Sequence, residues 1–185
     1  VLLLPDAPIV ALCQAGHRRS QGAGAWLRAE GRSAEYLEGG FAAWRQEKLP
    51  LIDPAALPTR DVQGRTVWVT RARPKVDRIA CPWLIRRFVD PNAVFLFVTP
   101  SEVLAVGERF NAAPFDVENV FWSHRGELCT FDVMVEELGL SGFAALERLA
   151  VIVRGADTAR PELAPQAAGL LAVSLGLSRM YSDDL

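Results

Sequence analysis

The sequence predicts an α/β protein: a partial parallel-sheet unit, then a helix-rich α+β domain. Three observations carry that reading. Short apolar runs such as PIVAL, TVWVT and AVFLFV have the length of buried strands. Helical patterns with capping residues and glycine stops fall between them. A proline-bearing stretch without periodicity, near residues 52–64, divides the chain.

The elements follow in order. PIVAL, residues 8–12, reads as a buried strand. SQGAGAWLRAEGR reads as a helix capped by Ser20 and stopped at Gly31, with Ala23, Trp26 and Leu27 on one face. Gly22 and Gly24 each weaken it by up to ~1 kcal/mol relative to Ala, which close packing would explain. SAEYLEGG is a short strand with a double-glycine turn, and FAAWRQEKLP a short helix ended by Pro50. After the linker, RTVWVTRA is a strand, and IACPWLIRRF a helix with Pro82 expected in its first turn. Its core face is expected to be Trp83, Leu84 and Phe88. AVFLFV is a buried strand, and PSEVLAVGERF a helix with Ser101 as cap. NVFWSHRGELCTF suggests two short strands about Gly126. DVMVEEL, ending at Gly139, and GFAALERLAVIV are helices, and PELAPQAAGLLAVSLGLSRMY is one more with a broken start. The expected domains are 1–52 and 65–185, joined by a linker over 53–64.

Bulk properties exclude several classes. The chain has 185 residues, a net charge of -2 and 23% charged residues, so it offers no bulk attraction to nucleic acid or anionic membrane. It shows no basic stretch or helix-turn-helix signature for nucleic acid. No apolar run approaches the ~20 residues a membrane span needs. Three scattered cysteines do not form a disulfide framework, so a reducing cytoplasm is the expected compartment.

The chemistry begins at CQAGHRRS, residues 13–20. Cys13 ends the first strand, and a loop with Gln14, Ala15, Gly16 and His17 leads into a helix. Backbone N–H groups at a helix start favour a thiolate, and His17, Arg18 and Arg19 add positive charge. Gly16 lets the loop curl into an anion nest. Spacing alone leaves a second reading open, a buried cysteine followed by a solvated basic turn.

CQAGHR resembles the active-site loop of the rhodanese family, Cys-x-x-Gly-x-Arg. YLEGGFAAWRQEKLP is similar to that family's closing signature, through Leu37, Gly39, Gly40, Trp44, Leu49 and Pro50. The resemblance covers residues 1 to about 52. It implies a sulfurtransferase fold with Cys13 as persulfide carrier and Arg18 orienting a small anionic sulfur donor. The amides of Gln14 to Arg18 would steady the persulfide, and a thiol or cyanide would accept the sulfur. Arg19 stands where the family has Ser or Thr, the hydroxyl being displaced to Ser20. Lys48 stands where a helix-ending Gly is usual. The first half of a rhodanese domain is missing, so the natural chain is expected to extend upstream of Val1.

The second domain spreads its chemical residues thinly. Asp77, Asp90, Asp116, Asp132 and Asp157 sit near expected element ends. HRGELC sets His124 and Cys129 five apart across a turn, with Asp132 three further on and Cys81 elsewhere. A zinc ion takes about four such ligands, while a structural histidine with two core cysteines explains the same residues. Arg78, Arg86 and Arg87 suit an oxyanion or a solvated helix face.

KVDRIACPWLIRRFVDPNAVFLFV, PFDVENVFWSHRGELCTFDVMVEELGL and LAVIVRGADT resemble the C-terminal domain of ChrB-type chromate-resistance proteins, over about residues 66–180. The resemblance implies a role in bacterial chromate response and directs attention to Asp77, Arg78, Cys81, His124, Cys129, Asp132, Arg154 and Asp157. No cofactor is firmly implied, and a metal ion in the second domain is one expectation. Two further functions stay open: oxyanion or chromate sensing without turnover, and metal-dependent catalysis centred on His124 and Cys129.

Overall fold

The computed structural model describes residues 7–184. The chain divides into two units, Val1–Leu49 and Pro50–Leu185.

In the first unit, β1 (Ile9–Ala11) leads through the Cys13 loop into α1 (Arg18–Ala29), then β2 (Ala34–Tyr36) and α2 (Gly40–Gln46). β1 and β2 pair in parallel, with Ile9 opposite Ala34 and Ala11 opposite Tyr36. The result is one βαβ crossover with a final helix. His17, not Ser20, is the N-cap of α1. Ser20 is buried inside the helix and its hydroxyl donates to the His17 carbonyl. Gly24 packs against the Glu35 backbone, whereas Gly22 meets nothing. The expected apolar face of α1 is not its buried one: Trp26 is exposed, and Ser20 and Gly24 face inward. Ala34 is the buried apolar side chain among this unit's described residues. So small an interior is what some fifty residues can bury.

Lys48 has φ +51°, the left-handed region that Gly adopts without steric cost. We expect Lys48→Gly to stabilise the chain by about 0.5–1 kcal/mol, read as a higher thermal midpoint. A lower midpoint would show that the Lys48 side chain does more than end a helix.

The second unit contains β3 (Val67–Arg71), α3 (Asp77–Phe88), β4 (Val94–Val98), α4 (Val103–Phe110), β5 (Ala113–Pro114), α5 (Thr130–Glu137), α6 (Ala144–Asp157) and α7 (Ala167–Met180). The sheet order is β4-β3-β5, all parallel. β3 is the central strand, buried on both faces from Val67 to Thr70, with the Thr70 hydroxyl donating to the Phe115 carbonyl at 2.7 Å. One face carries Trp68, which meets Phe115 and Trp122 edge-on at 6.3 and 5.6 Å. Leu84, Ile85, Phe131 and Met134 from α3 and α5 fill the same core. On the other face, Val67 and Val69 pack with Val103 and Ala112.

The stretch that reads as a linker is folded onto this unit: Ile52 and Leu57 pack against its core. Pro82 is the sixth residue of α3, inside the helix rather than in its first turn. It removes the N–H that would bond the Arg78 carbonyl. Trp83 is exposed, and Cys81, Leu84 and Ile85 form the buried face instead. Ser101 lies in a short 3-10 turn ahead of α4 and makes no capping bond to it. The Gly126 region has no ladder, only single bridges, Phe115 with Trp122 and Arg125 with Leu128. Among the described residues, no helix is long and apolar enough to cross a membrane.

Candidate functional site

The first unit places Cys13 in the loop between β1 and α1, partly exposed. Three glycines shape that loop. Gly16 has φ +66°, and a Cβ there would lie 2.5 Å from the Gly39 and Gly40 nitrogens. No larger residue fits while the two segments stay this close. The start of α2 holds the loop from behind: Phe41 N–H donates to the Cys13 carbonyl at 3.1 Å, and Ala42 N–H to the Gln14 carbonyl at 2.9 Å.

Cys13 Sγ lies 3.2 Å from Ser20 Oγ. The Ser20 hydroxyl, from the start of α1, therefore reaches the sulfur. The Cys13 thiol is lowered to about 6 by the Ser20 hydroxyl first, then the Ser20 N–H, with the His17 and Ala15 N–H groups adding to it against some desolvation. Hydroxyl and amides lead this lowering, rather than the guanidinium groups that the sequence brings to mind. Cys13, Gln14, Ala15, His17, Arg18 and Arg19 line a cavity of about 490 Å³.

The second unit gathers its charge at the carboxyl ends of the parallel strands, where open α/β sheets bind ligands. Arg71 ends β3 and Asp77 opens α3. Asp116 follows β5, and His124 follows the bridge made by Trp122. Asp157 is the last residue of α6. The loops that deliver the carboxylates are strained: Val76 has φ +25° and Asp116 +53°.

Three carboxylates converge on His124 Nε2. Asp157 Oδ2 lies at 3.2 Å, Asp77 Oδ2 at 3.4 Å and Asp116 Oδ1 at 3.5 Å. Asp77 is fully buried, and its Oδ2 accepts the Thr130 N–H at 2.6 Å from the start of α5. Its Oδ1 has no hydrogen-bond partner. Asp116 Oδ1 accepts the Thr130 hydroxyl at 3.1 Å. Arg71 bonds Asp116 Oδ2 at 2.9 Å, and Arg78 Nε is paired with the same oxygen at 3.1 Å. The Asp116, Asp157 and Asp77 carboxylates around its Nε2 push the His124 imidazole up to about 12. Burial raises the Asp77 carboxyl, and the neighbouring Asp157 and Asp116 charges raise it further. Burial works against the Asp116 carboxylate, but His124 and Arg71 hold it below its ordinary range.

The sulfur donors are not among the ligand atoms that meet here, although the Cys129 thiol interacts with the Asp77 carboxylate. Asp77, His124 and Asp157 bring one ligand atom each within 4.8 Å of one another, and neither Cys81 nor Cys129 joins them. Cys81 is buried in the core, where desolvation pushes its thiol up. Cys129 occupies the N-cap of α5, its N–H bonded to Asp132 Oδ2 at 3.0 Å, and burial raises its thiol as well. Arg154 pairs with Asp132 at 3.6 Å, so both serve the start of α5. Arg78 lies with Trp83, Arg86, Arg87, Phe95 and Phe97 around a groove of about 480 Å³, and Arg86 stacks over Phe95. Arg71 and Thr130 escape sequence reasoning. A strand-end arginine and a threonine in an apolar run signal nothing until the fold places them.

The second unit is thus an α/β domain with a carboxylate–histidine cluster at the carboxyl edge of its sheet. The family model described as "ChrB, C-terminal domain" matches residues 68–185, and the chain belongs to that family. The chain is also similar to Protein ChrB of Cupriavidus metallidurans, 36% identical over 132 residues. That match covers 69% of this chain and 39% of the relative, so the chain corresponds to well under half of that protein. No solved structure matches the chain.

Proposed function

We propose that the chain serves a bacterial chromate response in the cytoplasm and that its first unit is a rhodanese-type sulfurtransferase. One observation carries the sulfur chemistry: Cys13 Sγ sits in a glycine-shaped loop, 3.2 Å from the Ser20 hydroxyl, with its thiol lowered to about 6. At neutral pH such a group is mostly thiolate, the reactive form. The role in chromate response rests on family membership of the second unit.

The chemistry balances without a cofactor. The Cys13 thiolate attacks the outer sulfur of thiosulfate. The sulfur–sulfur bond of the donor breaks, and sulfite leaves with the electron pair. The outer sulfur of the Cys13 persulfide carries the negative charge, close to the amides that favour the thiolate. Cyanide or a thiolate then attacks that outer sulfur, and the Cys13 thiolate departs as leaving group. Arg18 and Arg19, which line the cavity, orient the anionic donor.

The test compares the chain with its Cys13→Ala variant after incubation with thiosulfate, by intact mass and by thiocyanate formed from cyanide. A one-sulfur adduct and turnover are expected, both lost in the variant. No adduct and no transfer would overturn the sulfurtransferase reading and leave oxyanion binding without turnover as the role of this loop.

A further inference from the structure

We propose that Asp77, His124 and Asp157 bind one divalent first-row transition ion, of the Mn2+, Fe2+ or Zn2+ kind. The first ground is stoichiometric. A histidine Nε2 carries at most one N–H, yet three carboxylate oxygens surround it at 3.2–3.5 Å. One N–H satisfies one of them. These separations are longer than the ~2.7–2.9 Å of a charge-assisted hydrogen bond. The two ligand separations, 3.2 Å to Asp157 and 3.4 Å to Asp77, match instead the ~3.0–3.4 Å between neighbouring ligand atoms around an ion held at about 2.0–2.1 Å.

The second ground is independent of the clustering. Asp77 is fully buried with its Oδ2 3.4 Å from His124 Nε2, and the other oxygen of the same carboxylate, Oδ1, has no hydrogen-bond partner. A carboxylate this buried is costly unless a cation or a full set of donors meets it. The third ground is the helix field. Asp157 is the last residue of α6, where the helix dipole disfavours a negative charge. A cation beside it reverses that cost.

The surroundings separate ligands from supports. Asp116 is committed to Arg71, Arg78 and the Thr130 hydroxyl, so it stands behind the ligands and fixes the cluster. Thr130 N–H holds Asp77 in place. One imidazole nitrogen with two carboxylate oxygens selects a borderline divalent ion over Ca2+, which prefers oxygen alone. His124 is 40% exposed, so the remaining coordination positions face solvent, the arrangement of a reactive rather than a purely structural metal site.

The proposal is independent of Cys13, and its test keeps the two apart. The 185-residue chain is stripped with a chelator and titrated with Mn2+ by calorimetry, with free Mn2+ followed by electron paramagnetic resonance. Mn2+ avoids thiolates, so the sulfur loop does not compete. About one equivalent should bind, with a rise of a few degrees in the thermal midpoint at saturation. Asp157→Asn should weaken binding at least ~30-fold while the metal-free variant keeps its fold by circular dichroism. Cys13→Ser should bind as the parent does. Should Asp157→Asn fail to fold, the more exposed His124→Gln carries the same comparison. Fewer than ~0.2 equivalents of both Mn2+ and Zn2+, or unchanged affinity in the folded ligand variant, would overturn the site.

Discussion

Alkylation of the chain by iodoacetamide should modify Cys13 alone, with a rate that rises with pH around a midpoint of about 6. Cys81 and Cys129 are buried and their thiols are pushed up, so neither contributes near neutral pH. The direction follows from the lowered thiol. Above the midpoint Cys13 is thiolate and the rate is flat; below it, each pH unit costs about tenfold. Ser20→Ala removes the leading cause of the lowering, the hydroxyl 3.2 Å from Sγ. Its midpoint should move up toward the ordinary thiol value near 8.5, and the rate at pH 6 should fall about tenfold or more. The plateau should change less and in the opposite sense, because a more basic thiolate is the better nucleophile. A midpoint above 8 in the parent would remove the amide cradle as an explanation. An unshifted midpoint in Ser20→Ala would mean the backbone N–H groups suffice. Arg18→Ala and Arg19→Ala test the alternative that guanidinium charge sets the midpoint.

The sequence made the first unit's loop legible because its chemistry is local. Cys13, Gly16 and Ser20 lie within eight residues, and Gly39 and Gly40 announce the second turn. What sequence could not show is that the Ser20 hydroxyl, seven residues on, reaches the Cys13 sulfur. That depends on the pitch of α1, where Ser20 and His17 share a turn. The second unit is the opposite case. Asp77, Asp116, His124 and Asp157 come from four separate stretches of chain, and only the parallel order β4-β3-β5 brings them together. The spacing of His124 and Cys129 instead suggested a hairpin site with sulfur donors. No hairpin ladder forms there, and Cys129 starts α5. Apolar patterning found the strands of the second unit, since β3 opens on Val67, Trp68 and Val69 and β4 is a run of Val, Phe and Leu. It misjudged helix faces where the buried side is made of small residues, as with Ser20 and Gly24 in α1.

Asp90→Ala should be the most destabilising single change in the second unit outside the apolar core, by about 3–4 kcal/mol. Asp90 follows α3 and is buried, yet it anchors the start of β3. Its Oδ2 accepts the Thr66 N–H at 2.6 Å and the Thr66 hydroxyl at 2.9 Å, and Arg60 approaches at 3.3 Å. Its Oδ1 accepts the Asn92 N–H at 3.0 Å. Thr66 is itself fully buried and accepts the Trp68 indole N–H at 3.0 Å. Removing the carboxylate therefore strands buried donors directly beside the central aromatic cluster, and each such loss costs about 1–3 kcal/mol. Burial works against the Asp90 charge, but the Thr66 and Asn92 donors and Arg60 hold its pKa below the ordinary carboxylate value. The stability it supplies is therefore complete above about pH 3.9 and is lost as pH falls through the lower native value. Asp90→Asn keeps an acceptor for Thr66 but turns an NH2 toward the Asn92 N–H. It should cost about 1–2 kcal/mol and abolish this share of the acid sensitivity. Urea unfolding at pH 7 and pH 3.5 reads both effects as shifts in midpoint at unchanged slope. A loss below 1 kcal/mol in Asp90→Ala would mean that water replaces the carboxylate, and that β3 is held by its packing alone.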